Sequence, residues 1–115
     1  MTRIKDIDTA LLKFEEAAIK HAEATEQGDY KTGNKNYAVI SKAILFLKEH
    51  NSISRLSDFL SHSSVGVRMW SATYLLPVSE KEGLQVLKQI ASETGILAFT
   101  AKTTISEWEK GNLKL

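Results

Sequence analysis

Proton transfer and metal ligation fall first to histidine, and this chain has three: His21, His50 and His62. No two of them stand four residues apart, the helical spacing of a zinc pair, and no carboxylate completes a ligand set. Capping and surface roles are the expectation, with Asp58, one helical turn before His62, as a structural partner for it. Glu15-Glu16 invites acid–base chemistry, but neighbouring helical residues point about 100° apart and cannot flank one reacting bond. Hydroxyls are frequent from Ser52 to Ser64, yet no Gly-x-Ser-x-Gly elbow is present, so caps and turns account for them. The stretch Gly28-Asp29-Tyr30-Lys31-Thr32-Gly33-Asn34-Lys35 has the polarity of a phosphate loop. It lacks both the Gly-Lys-Ser/Thr ending and a preceding strand. Cysteine is absent, which removes thiol nucleophiles, disulfides and Cys-ligated metals. The expectation is therefore a non-enzyme with no catalytic residue, no cofactor and no metal.

Recognition is better provided for. Asn34 and Lys35 are polar positions near the start of an otherwise apolar helix; Asn34 is expected to hydrogen-bond a neighbouring element or to face a partner. Arg68 is expected to span to a carboxylate or carbonyl of an adjacent helical unit, or else to join a binding face. Phe99 falls off the inward stripe of its helix, beside Lys102 and Ser106, and is the aromatic most suited to an exposed contact. Trp70 and Tyr74 share a face at i, i+4 and are expected in the core, as is Trp108.

These side chains must be placed by helices. Ile4, Ile7, Leu11, Phe14, Ala18 and His21 recur at spacings of three and four, an apolar stripe opposite a charged face, and Gly28 suits a left-handed stop. A second helix is expected from about Tyr30 to His50, with Tyr37, Ile40, Ile44 and Leu47 inward and Val39, Ala43 and Phe46 widening the stripe. Ile53, Leu56, Phe59 and Leu60 predict a short third helix, followed by the polar turn His62-Ser63-Ser64, which offers a capping hydroxyl. A fourth helix, Val65 to Leu76, is apolar nearly all round and must be sandwiched; Pro77 ends it. Ser79 and Glu82 have the spacing of a capping box for a fifth helix directed inward by Leu84, Leu87, Ile90 and Ala91. After Thr94-Gly95, a sixth helix is striped by Leu97, Ala101, Ile105 and Trp108 and stopped by Gly111.

A weak internal echo groups these helices in pairs. Leu56, Phe59 and Leu60 match Leu87, Ile90 and Ala91 at an offset of 31, and Val67, Ala72 and Leu76 match Ile96, Ala101 and Ile105 at 29. With the longer N-terminal pair, this gives three antiparallel hairpins in one all-α domain, a HEAT-like α–α superhelix of right-handed sense. The segment His62 to Leu76, with Val67-Arg68, Trp70, Ala72 and Leu75-Leu76, resembles the central hairpin of the bacterial family catalogued as domain of unknown function number 2019. Gly28-Asp29, Asn34-Lys35 and Tyr37 resemble its stretch after the first helix, and Phe99, Ala101, Trp108, Gly111 and Leu113 its C-terminal signature. The resemblance covers nearly the whole chain and implies a HEAT-like fold without an assigned activity or cofactor. Ser71 departs from it, standing where a second Ala is commoner.

Composition narrows the partners. At 115 residues the chain suffices for one modest core. Fifteen basic and fourteen acidic residues give a net charge of +1, shared evenly between the halves, unlike the concentrated basic footprint of a nucleic-acid binder. The first residues are charged rather than signal-like, and the longest apolar runs fall far short of a membrane span. A cytoplasmic protein-binding module, with a groove lined by the second helices of the hairpins, is the leading expectation; an immunity or antitoxin-like role is an analogy. The alternative is a nucleic-acid-binding helical repeat using Lys31, Lys35, Lys42 and Arg68.

Overall fold

In the computed structural model, which describes residues 4–115, the chain forms five α-helices and one 3-10 helix and has no strand among those residues. Helix α1 (Ile7–Gln27) starts where Asp6 accepts the Thr9 N–H at 2.7 Å. It ends at Gly28, whose φ of 71° lets the Asp29 N–H reach back to the Ala24 carbonyl at 2.9 Å. Asp29 then caps α2 (Tyr30–Glu49) by accepting the Thr32 N–H at 3.2 Å. The polar run that resembles a phosphate loop is thus a helix stop followed at once by a helix start. The third helix is a 3-10 helix, Ile53–Phe59, and not an α-helix. Ser64 caps α3 (Val65–Leu75) through its hydroxyl, 3.3 Å from the Val67 nitrogen. Helices α4 (Glu80–Ala91) and α5 (Ile96–Glu109) complete the order.

The Ser79–Glu82 capping box does not form. The Ser79 N–H that Glu82 would reach is already held by the Leu75 carbonyl at 2.6 Å, and the Ser79 side chain caps nothing. The chain turns so tightly after α3 that backbone groups satisfy one another.

Pairing follows the hairpins: α1 lies along α2, the 3-10 helix along α3, and α4 along α5. Helix α3 also packs against α1, α4 and α5, so the nearly all-apolar helix is the central one. Its approach to its neighbours depends on small residues. A Cβ on Gly66 would lie 2.5 Å from the Ala22 Cβ and 2.7 Å from the Ala18 carbonyl oxygen, and one on Gly83 would lie 2.6 Å from the Ala72 carbonyl oxygen. Backbones therefore nearly touch where α3 crosses α1 and α4.

Two apolar clusters result. One gathers Phe14, Ile40, Leu47, Leu56, Val67 and Leu75; the other gathers Met69, Ala72, Leu76, Leu87, Ile90 and Ala101. Trp70 and Leu60 pack against both. The Cα radius of gyration is 13.3 Å, against about 13.4 Å expected for a compact globule of this length, so the hairpins close into one rounded body. The echo between repeats holds for Ala72 and Ala101, both fully buried, and fails for Val67 and Ile96, the latter 50% exposed. Ile96 lies in the first turn of α5, where no described element covers it. Ile4 packs on the first cluster as expected; Leu11 is only half-buried, and alanines 10, 17, 18, 22 and 24 form most of the buried face of α1.

Candidate functional site

The second helix of each pair, α2, α3 and α5, contributes one wall of a groove of about 490 Å³. Helix α2 presents Tyr37, Ser41, Leu45 and Lys48 along one stripe; α3 presents Trp70 and Tyr74, a turn apart; α5 presents Thr100 and Thr104. The fourth side is the chain after α5. Gly111, at φ 76°, turns the backbone, and N–H groups of Gly111 and Asn112 close on the carbonyls of Trp108 and Glu107 at 3.0 and 2.9 Å. That reversal lays Leu113, Lys114 and Leu115 against the groove, with Leu113 and Leu115 packed on the second cluster.

The floor is aromatic. Trp70 meets the His21 ring edge-on at a centroid distance of 5.2 Å, tilts against Tyr37 at 5.8 Å and stacks on Tyr74 at 5.9 Å. Burial holds the His21 imidazole below its ordinary value. Burial, and then the neighbouring Tyr37 phenol, push Tyr74 up to about 12, so its phenol is neutral in ordinary buffers. The Trp70 indole N–H is buried without an acceptor. The threonine hydroxyls are occupied: Thr73, Thr100 and Thr104 donate to the carbonyls of Met69, Ile96 and Thr100 at 2.8–2.9 Å. Among the described residues, Lys48 and Lys114 are the only acidic or basic side chains lining the groove.

The predicted site residues are dispersed. Phe99 is 68% exposed and lies over a shallow depression that shares Thr100, Thr104 and Leu113 with the groove, so it extends the same surface. Asn34 is exposed one turn before Tyr37 on α2; it makes no hydrogen bond to a neighbouring element, correcting that expectation. The buried amide belongs to Asn36, which donates to the Thr32 carbonyl at 2.9 Å. Lys35 is exposed outside the groove. Arg68 does not span to an adjacent unit. Its guanidinium donates to the carbonyls of His62 and Ser63, at 2.6 and 3.3 Å, and so clasps the turn that precedes its own helix.

His62 pairs with Glu15 of α1, and not with Asp58, at 2.7 Å. The Ser64 N–H donates to His62 Nδ1 at 2.9 Å, which makes Nε2–H the donor to Glu15. This bridge ties the turn before α3 to α1 and leaves the imidazole no free nitrogen for other chemistry. His50 is held locally, donating to the Phe46 carbonyl at 2.8 Å. No three His, Asp or Glu side chains among the described residues gather as metal ligands do.

The sequence predicts a groove lined by the second helices but places Trp70 and Tyr74 in the core and not on its wall. Both are only half-buried. Tyr37, expected on the inward stripe of α2, is 48% exposed. The available signal was chemical: tyrosine and tryptophan have an apolar body and a polar tip, and suit a boundary better than an interior.

No protein-family model matches the chain, and no curated protein does. The fold is similar to that in the crystal structure of the protein RPA1889 from Rhodopseudomonas palustris CGA009, with a TM-score of 0.87 over 98% of this chain and 99% of that one. The two share 16% of their residues, a level at which the likeness shows the all-α fold alone.

Proposed function

We propose that this chain is a non-enzymatic protein-binding module, a HEAT-like stack whose partner sits in the groove across α2, α3 and α5. One observation carries the reading: three helices from three hairpins converge on an open apolar trough whose rim exposes Tyr37 and Leu45, at 48% and 57%, with Phe99 beside it. Singly exposed apolar residues need no explanation, but a continuous apolar surface rimmed by polar groups marks a binding site. The chemistry argues the same way, since the groove holds phenols, an indole and occupied hydroxyls, without a base beside a nucleophile. An immunity or antitoxin-like partner is one form this binding could take, by analogy with other small helical binders.

Nucleic acid is the weaker reading. Of Lys31, Lys35, Lys42 and Arg68, none lines the groove, and Arg68 already serves two carbonyls. The test compares substitutions in partner capture from native extract. Leu45→Glu should abolish retention of a specific partner, while Leu12→Glu, exposed on α1 outside the groove, should not. Equal loss with both, or none with either, would remove the groove from consideration. A gel shift that fades steeply with salt would favour nucleic acid instead.

A further inference from the structure

We infer that the groove takes an acidic amphipathic segment of its partner, apolar residues against the Tyr37–Leu45–Trp70–Tyr74 wall and carboxylates on Lys48 and Lys114. The inference rests on the protein-binding reading and specifies its ligand. The first support is charge. Over the whole chain basic and acidic residues nearly balance, fifteen to fourteen, yet the described residues lining the groove include two lysines and no acidic side chain. Neither lysine forms an ion pair among the described residues. Of the neighbouring acids, Glu49 follows Lys48 on α2 and points about 100° away, and Glu107, on the adjoining depression under Phe99, accepts from the Asn112 side-chain amide at 2.9 Å.

The second support is hydrogen-bonding capacity. The Trp70 N–H is buried beneath the groove surface, out of a ligand's reach, and the Tyr74 phenol is hydrogen-bonded to its Tyr37 neighbour. The groove threonines that donate have spent their protons on their own helices. With those protons out of reach or already used, the strongest polar feature left on the walls is the positive charge of Lys48 and Lys114, so the complementary ligand brings negative charge.

Length gives the third. From Tyr37 to Lys48 the wall runs eleven helical steps, about 16 Å at 1.5 Å per residue, which matches three turns of a docked helix laid along it.

The test uses two helical peptides with the same apolar face, one flanked by glutamates and one by lysines, titrated into the full chain by calorimetry. The acidic peptide should bind at least about tenfold more tightly, with the margin shrinking as salt rises. Lys48→Glu with Lys114→Glu, both at exposed positions, should reverse the order while circular dichroism stays unchanged. Equal affinities that Leu45→Glu abolishes would overturn the charge inference and leave the groove reading standing. Binding indifferent to Leu45→Glu would overturn both. Failure of the acidic peptide to bind would overturn the inference alone, the groove reading then resting on partner capture.

Discussion

His21 sits under the groove against the indole edge of Trp70, at a cost to its charged form. A histidine whose folded value is depressed binds fewer protons folded than unfolded, so its contribution is complete above the ordinary value of 6.5 and is lost as pH falls below it. The melting temperature should therefore drop on acidification from pH 7, with a component that His21→Gln removes. Tyr74 runs the other way. Its raised value means stability is intact below the ordinary 10.0 and declines as pH climbs toward about 12. Phenolate absorbance should show one tyrosine titrating late, and Tyr37→Phe should bring it earlier, because the second phenol contributes to the shift. Ser71 carries a fully buried hydroxyl with no partner. Ser71→Ala should be neutral or stabilise by up to about 1 kcal/mol in urea unfolding, since it removes an unsatisfied polar group without opening a large void.

At the scale of elements, glycines separate by what a methyl group would meet. Gly66 lets α3 lie against α1, and Gly66→Ala drives a carbon into the Ala18 carbonyl and the Ala22 side chain; a loss of about 2–3 kcal/mol is expected. Gly33 on α2 meets nothing nearer than 3.9 Å, so Gly33→Ala should instead stabilise by about 0.5–1 kcal/mol. Chemical denaturation of the two variants checks the opposite signs. The difference was not readable from composition, because both glycines interrupt helical patterns in the same way. The helices themselves were legible: stops at Gly28 and Gly111, the Ser64 cap and the end before Pro77 are local chemistry, settled within four residues. The capping box at Ser79 looked equally local and failed, since its N–H had been claimed by the preceding helix.

Across the whole molecule, Trp70 joins the two apolar clusters together with Leu60 and also floors the groove. Trp70→Ala should cost about 3 kcal/mol and broaden the unfolding transition as the clusters lose their common contact; a single sharp transition of unchanged midpoint would contradict that role. Its two duties explain why sequence reasoning assigned it to the interior: an aromatic with small neighbours on an apolar helix has the same pattern whether it seals a core or faces a trough. The sequence by itself determined the helices, their order and their pairing, because periodicity, caps and stops act over one or two turns. Only the tertiary structure decided that Tyr37, Trp70, Tyr74, Thr100 and Leu113 share one surface, that His62 bonds Glu15 and that Arg68 folds back on its own turn. Those outcomes depend on how closely backbones approach at Gly66 and Gly83 and on where Gly111 redirects the chain. The His62–Glu15 bond alone joins residues 47 positions apart, beyond the reach of any local pattern.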